Sequence, residues 1–328
     1  MNAATPAQRE AARAGIDLGG TKIQAVVTNS GHKVLGEARC PTPDSGGPKD
    51  VADAIAEITR EAAAAAKLET RSLSGVGVGS PGVVDMEAGM VSEARNLPGW
   101  EDSYPLGRTL AEALGAPVKV GNDVQVAIDA EFRLGAGKPY DSILGVFWGT
   151  GVGGGIILDG KPWLGRLGGA GEIGHMVIKQ DGARCPCGRR GCMEAYAGRK
   201  AMEERARRDH KKGTKTRLFK IMKSRGRDRL TSGIWARALD RKDRLAIYLV
   251  DRAVAALGAG IASAQNLLDV EAVVIGGGMG SRLGQPYVDR IAEEMQPHLF
   301  DDEHPPDVKL AGLGDVGGAI GATLLLED

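Results

Sequence analysis

GEIGHMVIKQDGARCPCGRRGCME, residues Gly171 to Glu194, carries three of the chain's four cysteines, Cys185, Cys187 and Cys192, with His175 just upstream. Cysteines that serve packing alone would be scattered along apolar strands and helices. These lie among glycines, arginines and a proline, where little core is available. Three thiolates and an imidazole make a full tetrahedral set for Zn²⁺. Gly182, Gly188 and Gly191 give the backbone the tight turns that bring sulfurs onto one ion. A disulfide reading leaves one of the three unpaired and finds no secretory signal. With four protein ligands and no open position, the zinc is expected to be structural.

Upstream of this segment, the strand ILGVFW from Ile143 runs into Gly149-Thr150-Gly151-Val152-Gly153-Gly154-Gly155 and a second strand. The same order opens the chain: in GIDLGGTKIQAVVTNSGHKVLGEAR, from Gly15, a strand, a Gly-Gly turn and two further strands follow one another. The two passages read as a faint internal duplication. Between them the pattern predicts a helix over 50–68, a buried strand over 73–79 and a hairpin around 85–89. A helix over 106–114, a strand over 118–120 and a helix over 124–134 complete an α/β alternation. Downstream, residues 199–244 carry eighteen Lys/Arg against six Asp/Glu. With almost no aromatic residues for stacking on bases, that run reads as a solvated helical surface. A long helix over 245–268, a buried strand over 271–275, Gly276-Gly277-Gly278 and a last apolar helix from Gly314 to Leu326 close the chain.

At 328 residues the sequence is long enough for two domains, and 49 glycines imply many tight turns. Lys/Arg and Asp/Glu balance at 42 each, so nothing global argues for nucleic acid or a membrane surface. Residues 1 to about 13 read as a disordered or helical tail without a signal-peptide core. No apolar run is expected to reach the roughly 20 residues of a membrane span. Few cysteines and a thiolate site point to a reducing cytoplasm.

Two segments match G-x-G-x-x-G, Gly77 to Gly82 and Gly149 to Gly154, but neither opens a helix as a dinucleotide site requires. No P-loop motif occurs. What remains is a set of strand-to-turn glycine loops: Asp17-Leu18-Gly19-Gly20-Thr21-Lys22, Gly149 to Gly155, and Gly276 to Gly278. Their backbone N–H groups suit phosphate oxygens, with Thr21 and Thr150 as hydroxyl donors and Lys22 as a counter-charge. Each loop alone is equally a structural turn; three together favour a nucleotide phosphate. Asn122-Asp123, where a strand gives way to a helix, reads equally as a helix cap or as a carboxylate base for an attacking hydroxyl.

Seven segments in this order resemble the ROK family of sugar kinases, and within it the glucokinase branch: GIDLGGTK, GVGSPGVVD, GNDV, GTGVGGGI, GAGEIGH, CPCGRRGCMEAYAG and VVIGGGM. The resemblance extends from residue 15 to about 320, essentially the whole folded chain, and the pairing of the cysteine motif with GEIGH is the specific part. The resemblance implies an α/β, two-domain, actin-like/hexokinase-type (ribonuclease H-like) ATPase fold with a central cleft. The small domain would be residues 1–121 with the last helix, 315–328, and the large one 122–314. Relatives with an N-terminal winged helix exist, but the first glycine loop here starts within twenty residues.

The same resemblance implies Asp123 as catalytic base and Asn96, Asn122, Glu172, His175 and Glu194 around the sugar. It places ATP phosphates on Asp17, Gly19, Gly20, Thr21, Lys22, Gly149, Thr150, Gly151, Gly153, Gly277 and Gly278. Mg²⁺ would enter with ATP near Asp17, and His175 with Cys185, Cys187 and Cys192 would hold zinc. Val124-Gln125 departs from the family's commoner small residue and Asn. The expected reaction is phosphorylation of D-glucose at its 6-hydroxyl by ATP. The alternatives are an N-acetylhexosamine kinase and a sugar sensor without catalysis, while the basic 199–244 run leaves open a polyphosphate donor. Family members are commonly homodimers or homotetramers.

Overall fold

The computed structural model describes residues 12–166 and 168–327; most of the expected N-terminal tail lies outside them. The chain forms two compact units. The first ends at Leu134 and takes in the C-terminal segment from Asp315; the second is Gly135–Gly314.

In the first unit, strands β1 (Arg13–Leu18), β2 (Lys22–Thr28), β3 (Val34–Pro41), β4 (Gly75–Ser80) and β7 (Val118–Asn122) form one sheet in the order β3-β2-β1-β4-β7. A short hairpin, β5 (Val83–Asp85) with β6 (Met90–Ser92), stands apart. Helix α1 (Pro48–Ala65) buries Val51, Ile55, Ile58 and Ala62, a helical stripe. Its first turn is closed by the Asp50 carboxylate, which accepts from the Gly47 N–H at 2.8 Å. Helices α2 (Leu106–Leu114) and α3 (Asp123–Leu134) follow.

The helix Gly317–Leu324 lies directly on this sheet. Side chains at Gly15 or Gly77 would run into the carbonyls of Ala319 and Ala322, so β1 and β4 need glycine there. Gly321 likewise lets the helix meet α3 at the Val126 carbonyl. That contact explains why α3, expected beyond a boundary at residue 121, packs in this unit, whose edge falls at Leu134.

The second unit repeats the pattern. Strands β8 (Ile143–Trp148), β9 (Val152–Leu158), β10 (Lys161–Pro162), β11 (Ala272–Gly276) and β12 (Asp307–Leu310) run in the order β10-β9-β8-β11-β12. In both sheets the first three strands are antiparallel and the last two join in parallel, with β8 standing where β1 does. The duplication glimpsed in the glycine turns is therefore a repeat of whole sheets. Helices α4 (Glu194–Ala197), α5 (Arg199–Lys211), α6 (Leu218–Ser224), α7 (Ser232–Asp240), α8 (Arg244–Leu268), α9 (Gly277–Leu283) and α10 (Gln285–Met295) complete the unit.

Two expectations change here. Helix α8, 25 residues with a mean hydropathy of 1.6 in its most apolar window, is long and apolar enough to cross a membrane by length and composition. This corrects the expectation that no apolar run reaches such a length. The apolar character has a packing cause, since 67% of that window is buried inside the unit. The basic run is also more than a solvated surface: Met202, Ala206, Leu218, Ile221, Leu230, Ile234 and Trp235 on it join the same core.

Candidate active site

Parallel strands carry their ligands at their carboxyl ends, and the first unit gathers its candidate residues there. In the register of β1, β4 and β7, Asp17 pairs with Gly79, Gly79 with Gly121, and Ser80 with Asn122. Asp123 follows at once as the first residue of α3, its Cα 3.4 Å from where a Cβ on Gly79 would stand. Asn122 takes the capping role, accepting from the Val124 and Gln125 N–H groups at 3.1 and 3.2 Å. Asp123 Oδ1 accepts from Val124 N–H at 2.9 Å.

The β1–β2 turn is closed by Gly19 N–H donating to the Lys22 carbonyl at 3.0 Å, with Thr21 exposed at its tip. A Cβ on Gly20 would stand 3.1 Å from Asn96 Nδ2, so the ARNLPGW loop lies against this turn. Asp17 faces the start of the C-terminal helix, 3.0 Å from where a Gly318 Cβ would be. Burial pushes the Asp17 carboxyl above its usual range, and the charge of Lys22 partly opposes that. Asp17, Gly19, Gly20, Thr21, Lys22, Asn96, Asn122 and Asp123 thus share one end of one sheet.

In the second unit the Gly149-Thr150-Gly151 turn joins β8 to β9, with Gly149 N–H on the Gly151 carbonyl at 3.0 Å. Gly153 lies beyond the turn, inside β9 and paired with Phe147. Gly277, at φ +78°, opens α9, and a Cβ there would come within 2.7 Å of the Trp148 carbonyl. Gly278 N lies 3.8 Å from the position of a Gly149 Cβ, so the two glycine turns adjoin.

The cysteine segment forms the expected cluster. The ligand atoms of His175, Cys185, Cys187 and Cys192 all lie within 4.8 Å of one another. Cys185 Sγ is 3.7 Å from His175 Nδ1, and Cys187 Sγ is 3.7 Å from Cys192 Sγ. A tetrahedral ion with Zn–S bonds of about 2.3 Å has S···S edges of about 3.8 Å, so the donor set fits zinc. Gly188 (φ +90°) and Gly191 (φ +82°) make the turns that close it. Burial pushes the Cys185 thiol up to about 12. Burial also raises Cys187, but hydrogen bonds from the Arg189 backbone and the neighbouring sulfurs outweigh it and bring that thiol down to about 7.

Both glutamates proposed for the sugar adjoin this cluster. Glu172 Oε2 is 3.8 Å from His175 Nε2, the ring nitrogen turned away from the sulfurs. Glu194 Oε1 is 3.9 Å from Cys185 Sγ, while its Oε2 accepts from Val152 N–H at 2.9 Å. Glu194 therefore ties the metal segment to the β8–β9 turn, and a side chain at Gly151 would run into it.

One residue escaped the sequence reading. Arg199, only 8% exposed, donates to Thr150 Oγ1 and to the Leu230 carbonyl, both at 2.9 Å. It opens the basic run, whose composition masks a single buried arginine. Its place immediately after CMEAYAG was the available signal.

The sequence profile of the ROK family matches residues 13–328. The glucokinase of Thermotoga maritima is 31% identical over 318 residues, 96% of each chain. A ROK family glucokinase from Streptomyces griseus, solved in complex with glucose and AMPPNP, superposes with a TM-score of 0.82 at 31% identity, covering 96% of this chain and 98% of that one. The ROK hexokinase of Thermus thermophilus, 34% identical, covers 96% and 98% with a TM-score of 0.74. With the two repeated sheets, their glycine turns and the Cys₃His cluster all in place, the chain belongs to the ROK family of sugar kinases.

Proposed function

We propose that this protein transfers the terminal phosphoryl group of ATP to the 6-hydroxyl of D-glucose, giving glucose 6-phosphate and ADP. The sugar oxygen forms a bond to the γ-phosphorus as the bond from that phosphorus to the ADP oxygen breaks. Asp123 accepts the hydroxyl proton. A loose transition state asks for positioning and charge neutralisation more than for a strong base, so a carboxylate of ordinary basicity suffices. Asn96, Asn122, Glu172, His175 and Glu194 hold the sugar hydroxyls, and the two sets of glycine turns hold the phosphates.

Supporting this reading above all is the contact of Glu172 and Glu194 with one Cys₃His cluster, which fixes two acceptor carboxylates in a single locality. The cluster's four residues would bind zinc as a brace, in a reducing cytoplasm. Asp17 would meet Mg²⁺ on the ATP phosphates, where the cation neutralises developing charge. A panel of D-glucose, N-acetylglucosamine, N-acetylmannosamine, fructose and allose, followed by ADP release, tests the substrate. Glucose should give the highest kcat/KM; a higher value for N-acetylglucosamine would sink the assignment. Replacing ATP by polyphosphate in the same assay tests the donor, and ATP should be the faster.

A further inference from the structure

We propose that Arg199 is a positioning residue for the phosphate donor: its guanidinium locks the Thr150 hydroxyl so that the hydroxyl's proton is left for a bound phosphate oxygen. The inference rests on the reading of Gly149-Thr150-Gly151 as a phosphate turn. A hydroxyl has one proton to give, and a guanidinium only donates. With Arg199 Nη2 donating to Thr150 Oγ1 at 2.9 Å, that proton must go elsewhere, and Thr150 is exposed.

The turn's carbonyls, which would repel an anion, are bound from the same side. Arg199 N–H donates to the Gly149 carbonyl at 3.1 Å and Lys200 N–H to the Thr150 carbonyl at 3.0 Å. The start of α5 thus occupies two acceptors of the turn and leaves a donor to face an incoming phosphate. Arg199 is itself clamped. Its Nη1 donates to the Leu230 carbonyl, and Leu230 N–H donates to Glu203 Oε2 at 2.8 Å. The other Glu203 oxygen is taken by Arg207.

Among the described residues, Arg199 thus contacts only neutral oxygens through its side chain, and Glu203 attracts it from beyond ion-pair distance. With both terminal guanidinium nitrogens held by neutral oxygens, Arg199 acts on a bound phosphate through the Thr150 hydroxyl.

The test is steady-state kinetics of the zinc-loaded full chain, with ATP and glucose varied separately, for Arg199→Ala, Arg199→Lys, Thr150→Val and the double variant Arg199→Ala/Thr150→Val. Arg199→Ala should raise the KM for ATP about ten- to a hundredfold, the worth of one charge-assisted hydrogen bond. The KM for glucose should stay within about twofold. Arg199→Lys should recover part of the loss, and the double variant should be little worse than Thr150→Val alone. An unchanged KM for ATP in Arg199→Ala, or fully additive effects in the double variant, would overturn the proposal. If Arg199→Ala fails to fold, Thr150→Val and Arg199→Lys decide by the same split between ATP and glucose. A wild-type chain inactive with every sugar and donor would instead defeat the kinase reading, which separates the two failures.

Discussion

Zinc binding by the Cys₃His cluster should depend steeply on pH, with a slope set by the thiols of the metal-free protein. Zinc takes the cysteines as thiolates, so every thiol still protonated must release a proton on binding. Burial holds Cys185 up at about 12 and raises Cys192, so both are protonated at neutral pH. Cys187, at about 7, is roughly half thiolate there. Above pH 7 the sulfurs therefore release about two protons, and below it about three. The logarithm of the zinc association constant should rise by about two per pH unit between pH 7.5 and 8.5, and more steeply below pH 7. Two protons per pH unit correspond to about 2.7 kcal/mol of added binding free energy. The direction follows from the states: the thiolate form is the bound one, so zinc's contribution to stability grows with pH and is lost on acidification. Competition with a chromophoric chelator at fixed free zinc, repeated across pH, measures the slope, and metal analysis gives one zinc per chain. A slope near zero, or a folded active protein without zinc, would refute the reasoning.

Three further outcomes follow from contacts at the site. Gly151→Ala places a methyl against Glu194 and pushes that carboxylate off the Val152 N–H. Losing a charged hydrogen bond worth about 1.5–3 kcal/mol should lower the melting temperature by about 5 °C and raise the KM for glucose; no change in either would contradict the tie. Asp17→Asn should melt higher than wild type at pH 7.5, because burial raises this carboxyl and its ionised form is the costly one. Its folded pKa lies above the unfolded one, so the carboxyl's stabilising contribution is full below about pH 4 and lost as pH rises through the folded value. The advantage of Asn should accordingly vanish in acid, while turnover at pH 7.5 falls about a hundredfold; a variant less stable than wild type at pH 7.5 would show the sign is wrong. Gly77→Ala should not fold stably, since its Cβ would meet the Ala322 carbonyl, and a wild-type melting curve would argue against the helix–sheet contact.

Much of this was legible because glycine, cysteine and proline constrain the backbone by themselves. Cys185, Cys187, Cys192 and His175 announced a four-ligand cluster, and the structure brings their ligand atoms together. Strand β8 and helix α2 run as the hydrophobic pattern indicated. The equivalence of β4 with β11 and of β7 with β12 was not legible, because their side chains differ and only pairing reveals the repeat. Helix α3 was assigned to the wrong side of the boundary, since its place depends on Gly321 some two hundred residues away. Composition also misled at Arg199: in a strongly basic run a single buried guanidinium carries no mark of its own. The capping ambiguity at Asn122-Asp123 needed coordinates, which give the cap to Asn122.

Glucose affinity and turnover of Asp123→Asn, measured side by side, bear most directly on the proposed chemistry. Asparagine keeps the shape and a hydrogen-bonding oxygen but cannot take the proton. Glucose binding by calorimetry should stay within a few-fold of wild type, while kcat with ATP falls about a hundred- to ten-thousandfold. Turnover close to wild type in that variant would contradict the account.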